Sequence, residues 1–366
     1  MPAKRPPDFI LFLTVLVLLS VGVTMVFSST LWFATLPPFN DTFFFVRRQL
    51  IWALIGLAAM VILMNYDYWR LKKWAGWLFI GGMLLLAVVL LPGVGVERLG
   101  ARRWLNLGPL SFQPSELAKL CLVVFFAAGL SRRIHLLQNF WKGMLPFLFL
   151  GGLATGLVIL EDLGTAVSMA GIVFVMLFAA GMRFSHLMGV GLLGIGAVGA
   201  AISREPYRLR RLLAFLDPEK DPQGAGWHIL NSLMSLGSGG LFGTGLGQGH
   251  SKYLWVPERH TDFIFAIIGE ELGFIGATFV IFLFILFIWR GLKVAISSPD
   301  SFGILLATGI VGGIAIQAII NIGVVTSTLP ITGITLPFIS FGGSSLVFTL
   351  AGVGILLNIS RYSIHK

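Results

Sequence analysis

Two groups of ionisable side chains stand where an apolar chain should not keep them. The stretch VPERHTDFIFAIIGEELGF, residues 256–274, places Glu258, Arg259, His260 and Asp262 at the mouth of an apolar run and Glu270 and Glu271 inside it. QPSELAKL, residues 113–120, carries Glu116 and Lys119 three residues apart, hence on one helix face. Ionisable groups in membrane spans are costly and usually face a bundle interior or a watery cavity. Asp262 is the candidate proton acceptor, since an ordinary aspartate is ionised at neutral pH. On a straight helix Glu270 and Glu271 fall about 12–14 Å deeper than Asp262. Each group also has a structural reading. A carboxylate at Asp262 suits a helix N-terminus, where Thr261 is an alternative cap. Glu116 and Lys119 make a bundle-locking ion pair. Glu270 and Glu271 bond to nearby backbone or basic side chains, or support a shared cavity.

The cations that could meet an anion lie in two segments. Residues 93–113 hold Arg98, Arg102 and Arg103; residues 204–261 hold Arg204, Arg208, Arg210, Arg211, Lys220, Lys252 and Arg259. Such clusters suit phosphate or lipid head groups, or are ordinary solvated loop charge; no nucleic-acid partner is expected. His250 and His260 lack the neighbours of a zinc site. The tract GSGGLFGTGLGQG, residues 237–249, matches neither GxGxxG nor GxxxxGK[ST] in register. It reads as close backbone packing or a flexible loop.

The elements that position these groups must be membrane helices. Of 366 residues, 56% are hydrophobic and 11% charged, far below the roughly 25% charge of soluble domains. The expected fold is an all-α polytopic bundle of about ten transmembrane helices, forming one domain over 1–366. They are placed at 9–32, 49–66, 74–92, 114–131, 143–160, 164–182, 186–203, 262–289, 302–325 and 343–359. The basic N-terminus and first apolar run resemble a signal peptide but suit a retained helix better. Pro114 suits the first turn of its helix, with Gln113 or Ser115 contributing capping. Lys and Arg near the helix ends place both termini in the cytoplasm, provided the two basic outer segments are set aside as functional exceptions. Residues 204–261 form the large extracytoplasmic loop. YRLRRLLAFL within it reads as an amphipathic surface helix, and WHILNSLMSLG as a weaker one with Ile229, Leu233 and Leu236 on its apolar side. Lone Cys121, in an apolar run, reads as packing. In this orientation the embedded charges gather in the outer half of the membrane, as a site serving that leaflet requires.

The segments GARRWLNLGPLSFQPSELAKL (100–120), EDLGTA (161–166), FLDPEKDPQGAGWH (215–228), LWVPERHTDFIFAIIGEELG (254–273) and LPITGITLPFISFGGSS (329–345), with the glycine tract, together resemble the SEDS family. Within it they are most similar to the elongation branch, RodA, with the division branch, FtsW, as the relative. One departure is Leu160-Glu161-Asp162-Leu163-Gly164, where the family commonly reads QPDLG. The resemblance implies a peptidoglycan glycosyltransferase of the bacterial cytoplasmic membrane that polymerises lipid II on its outer face during cell elongation. It implies a class B penicillin-binding protein and the elongation machinery as partners. Asp262 maps onto the essential aspartate; Glu116 and Lys119 map onto a conserved pair. Arg102, Arg103, Arg210, Arg211, Glu258, Arg259 and His260 join them as expected substrate contacts, with Gln113, Ser115, Glu270, Glu271 and Ser340 in support. A divalent cation, Mg²⁺ or Mn²⁺, is expected to assist, with its ligands open. A lipid II flippase and a non-catalytic scaffold of the elongation machinery are the alternatives.

Overall fold

The computed structural model describes residues 4–98, 101–107, 110–160, 162–224, 226–251 and 260–363. Its helices are α1 (Phe9–Thr30), α2 (Phe44–Asn65), α3 (Tyr68–Val89), α4 (Pro114–Arg132), α5 (Leu145–Ile159), α6 (Leu163–Ala179), α7 (Phe184–Arg204), α8 (Pro206–Leu216), α9 (Trp227–Ser238), α10 (Ile264–Ile296), α11 (Ser301–Val325) and α12 (Gly343–Ser360). Among the described residues nine helices are long and apolar enough to cross a membrane, and α6 is a shorter apolar tenth. They correspond one for one to the ten expected spans, so the chain is a multi-pass membrane protein.

The termini meet at one end of the bundle. The Arg5 amide donates to Arg361 O at 2.9 Å, and the Asp8 amide to Ser360 Oγ at 3.0 Å. This end is the terminus face and the opposite end the loop face. Buried Asn358 binds the α2–α3 turn to α12, donating to Met64 O at 2.8 Å and accepting from the Tyr68 amide at 3.0 Å.

Two helices begin earlier than apolar runs alone suggest. α2 starts at Phe44 rather than 49, so Arg47 and Arg48 sit on its first turns, Arg47 paired with Asp41. α3 starts at Tyr68 rather than 74 and carries Arg70, Lys72 and Lys73. Long cationic side chains reach the interface from within a helix, so the helix need not stop where the apolar residues do. The segment between α3 and α4, expected to be a plain loop, holds an antiparallel sheet of β1 (Val96–Arg98), β2 (Ala101–Leu107) and β3 (Leu110–Phe112), in order β1-β2-β3.

α10 is two helices joined at Gly273, whose φ of 69° and ψ of −169° no helix contains. Residues 274–296 rise about 34 Å, enough to cross a bilayer unaided. They present Phe274, Ile275, Phe282 and Ile285 outward. The short half before the break is buried on every side from Phe263 to Glu271. Residues 240–245 satisfy four backbone groups at the break. Phe274 N donates to Gly240 O at 2.9 Å and Ile275 N to Leu241 O at 3.2 Å. Thr244 N donates to Glu270 O at 2.9 Å and Gly245 N to Glu271 O at 3.1 Å. Irregular backbone at membrane depth needs hydrogen-bond partners, and this exchange supplies them.

The glycine tract is therefore close packing. A Cβ on Gly243, at φ 83°, would lie 2.2 Å from Glu271 O. One on Gly273 would lie 2.3 Å from Gly243 N. α8 leaves Leu209, Leu213 and Leu216 exposed on one side, as a surface helix should. α9 departs from expectation: Ile229 is buried, but Leu233 is exposed and Asn231, Ser232 and Ser235 are buried instead. Its inner face is polar because it reaches polar targets, Ser232 Oγ donating to Val325 O at 2.8 Å and Ser235 Oγ to Glu270 at 3.2 Å.

Candidate functional site

Asp262 stands just before the short half of α10, and three successive carbonyls hold it there. His260 O accepts from Phe341 N at 2.8 Å, Thr261 O from Ser340 Oγ at 2.5 Å, and Asp262 O from Asn321 Nδ2 at 2.7 Å. Ser340 Oγ also accepts from Leu336 N, and Asn321 Nδ2 donates to Ile334 O at 2.7 Å as well. Residues 260–262 are thus joined to the extended segment 329–342 and to α11. The N-cap of α10 is Phe263, whose side chain cannot cap. Thr261 and Asp262 come just before that cap, and α10 begins two residues after its expected start at Asp262. The half-buried Asp262 side chain reaches toward Gly333, where a Cβ would stand 3.5 Å from Oδ2.

The same segment brings a cation near. Arg103 of β2 pairs with buried Asp162 at 2.8 Å. Asp162 caps α6 by accepting from Thr165 N at 2.9 Å, a role the Glu161–Asp162 pairing in the sequence did not disclose. Gly164, in the first turn of α6, abuts Thr332: a Cβ there would be 2.5 Å from Thr332 O. Arg103 is thus tied to the start of α6, α6 packs through Gly164 on Thr332, and the neighbouring Gly333 faces Asp262. Arg103 Nε and Thr332 Oγ1 are buried without a hydrogen-bond partner among the described residues. Buried polar atoms rarely stay unpaired, and one of these two, Thr332 Oγ1, belongs to the residue next to Gly333, which faces Asp262.

Glu116 and Lys119 form an ion pair at 2.9 Å, both largely buried. They line a cleft of about 50 Å³ with Gln317 and Thr349, room for a few waters rather than a sugar. Gln317 lies one helical turn from Asn321 on α11, so the pair sits roughly 6 Å deeper than the grip on Asp262. Pro114 takes the first turn of α4 as expected. Gln113 is the N-cap but makes no side-chain cap bond; its amide donates to Ser344 Oγ at 3.0 Å. Ser115 is buried.

Glu270 and Glu271 do not line that cleft. Glu270 accepts from Ser235 Oγ, from His250 N at 2.6 Å and from Ser251 N at 3.0 Å. Glu271 accepts from Ser28 Oγ at 2.5 Å and Gly247 N at 3.1 Å. Their carboxylates anchor the loop after α9 onto the break in α10. Bonding to backbone was among the expected roles; a shared outward cavity was not the outcome, because both side chains turn to the loop amides.

The remaining candidates scatter. The His260 ring packs among Phe33, Phe45 and Phe341, stacked only on Phe33. Arg102 lies on β2 opposite Glu97 in the strand register. Arg210 is exposed on α8, and Arg211 stands 4.5 Å from the centre of the Tyr207 ring. Arg208, not singled out as a contact, donates to Ile159 O at 2.9 Å and ties α8 to α5. Glu258 and Arg259 lie outside the described residues. Among the described residues no three His, Cys, Asp or Glu side chains gather as a metal site.

Fold and site together define a polytopic membrane protein with an aspartate and an arginine held by opposed segments at one face. The sequence matches the cell cycle protein family that comprises FtsW, RodA and SpoVE over residues 9–365. It is 47% identical to stage V sporulation protein E of Bacillus subtilis (strain 168), covering 98% of both chains. It is 43% identical to a probable peptidoglycan glycosyltransferase FtsW of Geobacter sp. (strain M18), covering 96% of both. One solved structure, reported as "Structural coordination of polymerization and crosslinking by a peptidoglycan synthase complex", superposes with a TM-score of 0.80 at 33% identity, covering 98% of this chain and 99% of that one. The rod shape determining protein RodA of Thermus thermophilus superposes at 0.72 with 32% identity, covering 98% of each. The chain belongs to this family, known as SEDS.

Proposed function

We propose that the chain is a peptidoglycan glycosyltransferase that polymerises lipid II at the loop face, taken as the outer face of the bacterial cytoplasmic membrane. Family membership and the FtsW relatives support the activity. The observation that carries the site is the triple backbone grip on residues 260–262, which fixes Asp262 facing Gly333 of the segment 329–342. Polymerisation joins an acceptor sugar hydroxyl to the anomeric carbon of a sugar on a polyprenyl pyrophosphate. Asp262 takes the hydroxyl proton as the new C–O bond forms. The anomeric C–O bond breaks with its electron pair leaving on pyrophosphate, and a cation stabilises that charge. Arg103 suits this best, because its planar fork binds phosphate while Asp162 holds its other edge. Lys119, expected to contact pyrophosphate, is already engaged by Glu116 in a narrow cleft, so the pair serves better as positioning. Arg210 and Arg211 act from the surface helix by attracting the anionic substrate.

A divalent ion at this place would take Asp262 and substrate phosphate oxygens as ligands, as Mg²⁺ does when it binds through one or two carboxylates. A class B penicillin-binding protein is the proposed partner, supported by the similarity to the synthase-complex structure. Two observations bear on the cellular role. RodA is a structural neighbour, which supports elongation, while the 47% and 43% identities belong to proteins named for sporulation and division. Expression in strains depleted of the elongation or the division polymerase distinguishes them by whether rod shape or septation returns.

Purified Asp262→Asn, assayed with its partner on lipid II, is expected to lose glycan chains by at least roughly a hundredfold, the scale of a lost general base. Retained chain growth overturns the assignment. Movement of labelled lipid II across vesicles without chain growth would mark a flippase instead.

A further inference from the structure

Three basic side chains near the joined termini have polar partners. Lys4 pairs with Asp67 at 2.8 Å and Arg290 with Asp8, while Arg361 donates to Asn65 Oδ1 at 2.9 Å. Lys72 and Lys73 on the first turns of α3 and Arg132 at the end of α4 form no ion pair among the described residues, as Arg133, Lys142 and Arg183 form none, but Lys72, Lys73 and Arg132 share one cavity. Lys72 Nζ has only the Phe302 ring, 5.5 Å from its centre. These three cations border a cavity of about 310 Å³ between α3 and α4, and no acidic residue lines it.

The cavity has a second character below its rim. Trp77, 71% exposed, and Phe125 line it, while Gly76 opens it: a Cβ there would meet nothing within 4 Å. We propose that this cavity binds an anionic glycerophospholipid of the terminus-face leaflet, its phosphate at Lys72, Lys73 and Arg132 and an acyl chain along Trp77 and Ile80. Uncompensated cations at a membrane surface attract anionic lipid, and basic pockets between helices hold lipid head groups. Arg132 supplies a fork for phosphate and the lysines supply point charges. A free phosphate would use the rim but gain nothing from the exposed aromatic wall, so the occupant is lipid. The site lies at the opposite end of the bundle from Asp262 and uses none of its residues.

The test titrates phosphatidylglycerol into the purified full-length chain and counts bound lipid by native mass spectrometry. K72Q/K73Q/R132Q is compared with R133Q/K142Q/R183Q, which removes as many charges from exposed positions of the same face outside the cavity. Affinity is expected to fall roughly fivefold per cation removed in the first variant and to hold in the second. Phosphatidylcholine and inorganic phosphate should compete poorly. Equal losses in both variants would reduce the effect to overall surface charge and overturn the site. Unchanged binding in the first variant, or full displacement by inorganic phosphate, overturns it too. Should the triple variant not fold, R132Q alone carries the same comparison at fivefold.

Discussion

Asp262 and Glu270 carry the same functional group under opposite constraints. At Asp262 the protein grips the backbone, through three carbonyls, and directs the side chain toward Gly333. At Glu270 it grips the carboxylate itself, with one hydroxyl and two amides. A carboxylate so engaged is an anchor, and its removal leaves buried donors unpaired, at about 1–3 kcal/mol each. Glu270→Gln keeps the volume but turns an amide NH₂ toward donors. It is expected to lower stability by about 1–3 kcal/mol and to speed proteolysis after α9, read by thermal unfolding and limited digestion in detergent. A variant with unaltered melting and cleavage would show that the loop is held by the Gly240–Gly245 exchange alone. The sequence offered Glu270 and Glu271 as embedded charges but not their partners, because these are main-chain amides of residues 247–251 and serine hydroxyls on α1 and α9. No residue type advertises a backbone donor.

At the scale of elements, apolar runs disclosed every membrane helix but not where one of them breaks. The pattern continues through Gly273, and glycine is common within membrane helices. Only the approach of residues 240–245 shows that it ends a helix there. The sheet between α3 and α4 escaped for a related reason: its strands are short, and arginine-rich residues read as solvated loop. The terminus-face clasp was equally hidden, since Lys4, Asp67 and Tyr362 lie on three separate segments. Lys4 pairs with Asp67 at 2.8 Å, and Tyr362 Oη donates to it at 2.6 Å. The hydrogen bond from Lys4, then that from Tyr362, holds the Asp67 carboxyl below its ordinary value. A depressed folded-state value adds stability that is complete above the unfolded value, about pH 4, and is lost as pH falls through the folded one. Wild-type protein should therefore lose more melting temperature between pH 5 and about pH 3 than Asp67→Asn does. Parallel pH profiles for the two would exclude the clasp as an acid-sensitive contact.

Over the whole molecule, the two ends of the bundle divide two kinds of charge. At the loop face acids and bases face inward, in the Arg103–Asp162 and Glu116–Lys119 pairs and at Asp262. At the terminus face the surplus is cationic, including exposed Lys73, Arg132, Arg133, Lys142 and Arg183. Short basic connections of this kind remain cytoplasmic during insertion, which supports the proposal that the loop face lies outside, where lipid II chain growth is proposed. The basic residues on β2 and α8 oppose that reading when every loop is counted. Two of them have partners within the protein: Arg103 pairs with Asp162, and Arg208 donates to Ile159 O. Orientation is open to direct measurement because the single native cysteine, Cys121, is 4% exposed and gives little background. Glu219→Cys, between α8 and α9, should react with a membrane-impermeant maleimide in intact spheroplasts. His135→Cys, between α4 and α5, should react only after permeabilisation. The reverse pattern would put Asp262 in the cytoplasmic leaflet and remove the outer-face polymerase reading, whatever the activity of the purified chain.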